Sequence, residues 1–157
     1  MLYDVIVIGG GASGMMAAIT AAQQNKAVLL LEAADRIGRK LLATGNGRCN
    51  FTHSNISVDN YNTDNRKLLN TVLQKYTSES IIALFEDMGM MSKNLNDYIY
   101  PFSESASTVL DILRIRLQES NCAIKTKCDV TKICENNRVF SVSGKNFCYE
   151  SKAVIVA

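Results

Sequence analysis

The sequence predicts an α/β fold built on a parallel sheet, with an antiparallel meander crossing over and a helical insert. Three features carry that prediction. A β-branched run, Asp4–Ile8, is followed by a glycine-rich turn, an alanine-rich stretch and a second apolar run, Ala27–Glu32. This is the size of a strand–helix–strand unit, about thirty residues. Residues 65–76 and 79–88 carry helical spacing of apolar side chains. From Cys122 onward the pattern changes to period two.

Each element has its own reason. Asp4–Ile8 reads as a buried strand of parallel type, because apolar residues follow one another without alternation. Met15–Gln24 predicts a helix whose small residues, Ala17, Ala18, Ala21 and Ala22, suit a face against a sheet. Asn25 sits where a left-handed helix stop is expected. Segment 56–64 is polar and irregular, and Gly89 ends the second of the two insert helices. Residues 90–105 predict a connection, with room for a short hairpin, before a helix capped by Ser103 or Ser105 and running to about Glu119. Ala123–Lys127, Val130–Glu135, Val139–Ser143 and Phe147–Ser151 alternate as strands, with turns at Asn136-Asn137 and Gly144-Lys145. Ala153–Ala157, AVIVA, reads as a further apolar strand.

The composition is that of an ordinary globular domain: 157 residues, 47% hydrophobic, 20% charged. A net charge of +2 gives no argument for a nucleic-acid or membrane partner. The apolar runs are far shorter than a membrane span, and the N-terminus lacks an export signal, so a cytoplasmic protein is expected. Five cysteines without a CxxC pair read as reduced packing thiols, and with His53 the only histidine no metal site is expected. No signal for an oligomeric state is present.

The chemistry-bearing motif is Gly9-x-Gly11-x-x-Gly14 between strand and helix. Gly9 permits the tight turn, Gly11 lets a pyrophosphate reach the backbone, and Gly14 lets the helix pack closely. The helix N-terminus adds free N–H groups and the positive end of its dipole. Glu32 closes the second strand, where a carboxylate can accept hydrogen bonds from both hydroxyls of an adenosine ribose. Its charge argues against a 2′-phosphate. A dinucleotide site is the expectation. The bland alternative, a glycine turn that binds nothing, leaves the terminal Glu32 unexplained.

The unit alone does not choose between FAD and NAD(P). The segment after it does. Residues 38–52, GRKLLATGNGRCNFT, are too glycine-rich for a good helix and too polar for a core strand. Gly45 and Gly47 allow close backbone approach. Arg39, Lys40 and Arg48 can offset pyrophosphate charge, and Thr44, Asn46 and Asn50 supply hydrogen bonds for a ribityl chain and a flavin edge. The segment is expected to form the second wall of a flavin site, against the alternative of a solvated basic loop.

GGGASGMMAA, GRKLLATGNGRCNFT and YIYPFSESAS together resemble the bacterial flavoprotein family called BaiN-like or HI0933-like, which includes NAD(P)/FAD-dependent oxidoreductases and aminoacetone oxidases. The resemblance covers the whole chain and implies a Rossmann-like FAD-binding domain of glutathione-reductase type. It implies FAD-lining roles for Gly14, Glu32, Arg39, Lys40, Gly45, Asn46, Gly47, Arg48, Cys49 and Asn50, and a backbone contact to adenine at Val130. Ala12 and Ser13 in the turn, Ala33 after the acid and Ala157 at the end of AVIVA complete the expected cofactor-binding set. His53 stands where the family pattern has Asn. The family pattern continues beyond AVIVA with Thr-Gly, so the resemblance implies the N-terminal part of a longer, here truncated, FAD-binding domain. Its parts are a βαβ unit at 4–32, a flavin loop at 38–52, a helical insert at about 54–104, and helix, meander and last strand at 105–157.

The implied activity is that of a flavin-dependent oxidoreductase, with NAD(P)H as candidate electron donor. Its substrate is expected to be a small molecule, a steroid-like enone or an amine. No catalytic acid–base arrangement is visible. His53 beside the loop reads as a surface histidine before a proton donor, and Cys49 as a packing thiol before a redox group. The aromatic cluster Tyr98–Phe102 reads as a patch covering the insert before a stacking platform. The rival readings are an NAD-binding dehydrogenase module and a non-catalytic nucleotide-binding fragment.

Overall fold

The structure is a computed structural model that describes residues 1–157. In chain order the elements are β1 (Leu2–Ile8), α1 (Ala12–Gln23), β2 (Val28–Leu31), β3 (Thr52–His53), α2 (Arg66–Lys75), α3 (Ser78–Asp87), β4 (Ser92–Leu95), β5 (Tyr98–Pro101), α4 (Ala106–Glu119), β6 (Cys122–Lys125), β7 (Lys132–Asn136), β8 (Val139–Gly144) and β9 (Phe147–Val156). They divide into two compact units, one of Met1–Leu41 with Leu113–Ala157, the other of Leu42–Ile112.

The first unit is a six-stranded sheet in the order β6-β2-β1-β9-β8-β7. β6, β2, β1 and β9 pair in parallel, whereas β9-β8-β7 pair antiparallel. Strands with parallel partners on both edges and cover on both faces need apolar residues in succession. All four residues of β2 are buried, and Ile6 and Val7 of β1 are fully so. Tyr3, Ile6, Leu29, Leu31 and Val142 form a buried cluster, against which Val130, Phe147, Tyr149 and Val154 pack. Truncating Ile6 or Leu29 to Ala would cost about 2–5 kcal/mol.

Helix α1 begins at Ala12, three positions before the sequence suggests, so Gly14 falls in its first turn. A Cβ on Gly14 would lie 1.8 Å from the Gly9 carbonyl oxygen. The close approach of helix to turn therefore decides the residue, over its poor helix propensity. Asn25 adopts φ 57°, the left-handed stop expected there.

The end of the chain differs from the sequence expectation in a definite way. Phe147–Ser151 and Ala153–Ala157 are not two strands but the single strand β9, so the meander and the parallel strands share one sheet. The polar Ser151-Lys152 pair suggested a break. Ser151 is instead buried with its hydroxyl donating to the Ala153 carbonyl at 2.8 Å, and Lys152 reaches Asp4 at 2.8 Å. The turns also sit one residue later, at Asn137-Arg138 and Lys145-Asn146, since Asn136 pairs with Val139 and Gly144 with Phe147. Asn137 and Arg138 both have positive φ, as a two-residue turn of type I′ requires.

The second unit combines α2 and α3 with a small antiparallel sheet, β3-β5-β4. The hairpin at β4–β5 turns through Asn96 and Asp97 at φ 52° and 70°, again a type I′ signature. Asn65 and Thr77 cap α2 and α3 by accepting from the backbone N–H of Leu68 and Ser80. Ser78 at the start of α3 donates to the His53 carbonyl, and the Phe85 ring packs tilted against Phe51 at 5.0 Å between ring centroids. No helix of the chain is long and apolar enough to cross a membrane.

Candidate functional site: a dinucleotide cradle

The first unit assembles the glycine turn, the start of α1 and the end of β2. Gly9 has φ 106°, and a Cβ there would lie 2.3 Å from the Ala157 carbonyl oxygen. Gly11 is the opposite case: a Cβ would meet nothing within 4 Å. It is also the N-cap of α1 and offers no side-chain cap, so no side chain of its own satisfies the first-turn amides. Ala12 and Ser13 follow, both exposed. This is open backbone at a helix N-terminus, the chemistry that takes a pyrophosphate.

Glu32 lies one residue past β2. Its carboxylate accepts from the Gly10 amide through Oε2 at 2.7 Å and from the Ala34 amide through Oε1 at 2.7 Å. Each oxygen keeps a further lone pair. The acid is thus fixed beside the glycine turn while able to accept from ribose hydroxyls. The backbone of 127–128 is tied to the same corner, with the Cys128 amide donating to the Glu32 carbonyl at 2.9 Å and the Lys127 amide to Ala34 at 2.8 Å. Val130 comes two residues later, before β7 rather than in it, and half-buried against the core.

Gly10 is a site residue the sequence argument passed over. A Cβ there would sit 2.6 Å from Ile37 Cγ2 and 2.9 Å from Glu32 Oε2. The signal was present in the run of three glycines, but only the Ile37 and Glu32 contacts explain the middle one. Ala33 is exposed beside this corner, and the Ala157 amide donates to the Ile8 carbonyl at 2.9 Å. Arg39 pairs with Asp35 at 3.7 Å, both largely exposed, and Lys40 is exposed.

In the second unit, residues 41–47 form two tight helical turns across a kink. Thr44 is extended, and Gly45 and Asn46 are left-handed. Gly45 needs the absence of a side chain twice over, for φ 53° and for a Cβ position 2.9 Å from the Asn50 amide nitrogen. Gly47 has φ 81°. Arg48 does not stand free: it pairs with Glu104 at 3.2 Å and lies over the Tyr100 ring at 4.9 Å. Lys93 shares Glu104, and these two hydrogen bonds, that from Lys93 first, hold the carboxyl below its ordinary value. Burial pushes the Cys49 thiol up, a hydrogen bond with Thr44 offsetting part of the shift, so Cys49 is a protonated packing group. Asn50 donates to the Thr52 and Ile99 carbonyls. No three His, Cys, Asp or Glu side chains gather as a metal would require.

The family model for the HI0933-like protein Rossmann domain matches residues 3–157. The chain belongs to the HI0933-like family. The HI0933-like chain is 34% identical over 122 residues to the 3-dehydro-bile acid delta(4,6)-reductase of Clostridium scindens, covering 76% of this chain and 30% of that one. It is 26% identical over 157 residues to the ribosomal RNA dihydrouridine synthase of Escherichia coli, covering 99% and 39%. It therefore spans about a third of the length of the curated relatives it matches. Among solved structures, Thermovibrio ammonificans THI4 aligns with a TM-score of 0.62 at 14% identity, covering 99% of this chain and 57% of that one. The thioredoxin reductase of Streptococcus pyogenes aligns with 0.55 at 20%, covering 99% and 34%. The fold of this HI0933-like domain is the Rossmann-type FAD-binding fold. The cradle fits FAD: Gly11 leaves room for the pyrophosphate and Glu32 presents free acceptors for the ribose.

Proposed function

We propose that the chain is the FAD-binding part of a flavin-dependent oxidoreductase and that Gly9, Gly11–Gly14, Glu32, Ala33 and the Val130 backbone hold the ADP half of the cofactor. The observation that supports this most directly is the doubly anchored Glu32 beside an open Gly11. FAD, when bound, supplies hydride chemistry. The chain's residues bind and orient it: the amides at the start of α1 face anionic oxygen, and Glu32 accepts from the ribose. Thr44–Asn50, with Arg39 and Lys40, is proposed to serve the flavin end, and Ala157 the last contact of the cradle. NAD(P)H is the proposed electron donor.

The proposed substrate is a small molecule, an enone of steroid type or an amine. The Clostridium scindens relative, named a bile-acid reductase, supports the enone. A second reading, an RNA substrate, is supported by the Escherichia coli relative's name and its alignment along 99% of this chain. The visible spectrum of the full-length protein tests the cofactor reading. Flavin absorption in the blue is expected. A colourless protein that takes up NAD but not FAD would favour a dehydrogenase module.

A further inference from the structure

The loop that follows Thr44 is wound in a costly conformation. Gly45, Asn46, Gly47 and Cys49 all have positive φ, between 53° and 81°. Two of the four carry a side chain, and such residues keep the left-handed region only where their surroundings over-determine it. Two backbone bonds close the loop locally, from the Cys49 amide to the Thr44 carbonyl and from the Arg48 amide to the Gly45 carbonyl, both 3.1 Å. A hold on its shape from outside has to come from other elements.

Arg48 supplies such a hold. Its guanidinium lies over the ring of Tyr100, a buried residue of β5, at 4.9 Å. The same ring approaches Gly45, whose Cβ position is 3.6 Å from Tyr100 Cε1. The guanidinium donates in turn to Glu104 Oε2 at 3.2 Å, and Lys93 of β4 donates to Oε1 at 2.5 Å. Each cation thus takes one carboxylate oxygen. Glu104 is itself set by the turn after β5, with φ 51° and its amide donating to the Pro101 carbonyl at 2.8 Å. A lone exposed ion pair contributes little, but a network that closes on a buried ring has a defined geometry.

We propose that Glu104 is a positioning residue: by holding Arg48 on Tyr100 it keeps residues 44–49 in the shape that the flavin end of the cofactor needs. Lys93 fixes the carboxylate. Arg48 acts as a clamp, its charge spent on Glu104 rather than left for the pyrophosphate. The cofactor half of this inference rests on the FAD reading above, and the clamp does not.

Hydrogen exchange of the full-length protein with nucleotide removed, read by mass on a peptide spanning 42–50, measures the clamp. Glu104→Gln keeps the length of the side chain and removes its charge. It should speed exchange in that peptide at least fivefold and leave peptides of β1 and α1 unchanged. The network is partly exposed, so NaCl at about 0.5 M should speed the same peptide in the wild type and not in the variant. FAD dissociation, followed by flavin fluorescence, should also become at least fivefold faster. Arg48→Gln should match Glu104→Gln, and the double variant should be no worse than either. Lys93→Met keeps the Glu104–Arg48 pair and should have a smaller effect. Unchanged exchange at 42–50, a rise shared by all peptides, or additive effects in the double variant would overturn the proposal. So would unaltered FAD dissociation from a variant whose loop has loosened. A loosened loop in a protein whose wild type takes up no FAD would support the clamp and overturn the cofactor reading.

Discussion

The Gly10 amide donates to Glu32 Oε2 at 2.7 Å, so the acid that ends the second strand is anchored on the turn that precedes the first helix. A side chain at a strand end is thereby made part of the glycine turn. A Cβ at Gly10 would crowd the same Oε2 at 2.9 Å as well as Ile37 Cγ2 at 2.6 Å, so Gly10 and Glu32 are tied to each other. Glu32→Gln keeps the length of the side chain but removes its charge and turns one acceptor into a donor. Each charge-assisted bond to the ribose is worth about 1.5–3 kcal/mol. FAD affinity should fall at least tenfold by fluorescence titration, and equal affinity would remove Glu32 from the site.

Gly11 and Gly14 should separate binding from folding. Gly11 has φ −75°, and its Cβ position is open. Gly11→Ala should therefore change stability by no more than about 1 kcal/mol while weakening FAD at least tenfold. Gly14→Ala places a carbon 1.8 Å from the Gly9 carbonyl oxygen and should cost about 3 kcal/mol or more. Urea melts of both, with FAD titrations of the first, check the contrast.

Gly47 tests the loop. Its φ of 81° disfavours any L side chain, a β-branched one most. Gly47→Val should lower flavin content in the purified protein and leave the far-UV circular dichroism unchanged. Full flavin content in that variant would show that 38–52 is a solvated loop.

The thiols give a pH dependence of known sign. Burial pushes Cys122 up from 9.0 to about 11. The folded state holds this proton more tightly than the unfolded one. The contribution is thus fully present below about pH 9 and is lost as pH rises towards 11. Cys122→Ala should flatten the alkaline limb of the stability curve between those values. Iodoacetamide at pH 8 should label exposed Cys134 and Cys148 well before buried Cys49.

The central pair of the parallel sheet, β1 and β2, was legible because these strands are largely buried, and VLLL or VIVI has few other ways to be hidden. The glycine turn was legible because the positive φ at Gly9 and the close approach of α1 at Gly14 each require the one residue without a Cβ. Strand β9 was misread because Ser151 and Lys152 look like a break until their partners, the Ala153 carbonyl and Asp4, are seen. The short strand Thr52–His53 has no period to detect and exists through its pairing with Ile99 and Tyr98. Arg48 looked like a free cation because Glu104, its partner, is 56 positions away. Gly10 was passed over because its role depends on where Glu32 and Ile37 fold back.

The most direct measurement of the central claim is the mass of the molecule released by heat from the full-length protein as purified. The account predicts FAD, in stoichiometric amount and lost from Glu32→Gln. Release of NAD or NADP instead, or FAD retained in full by Glu32→Gln, would contradict it.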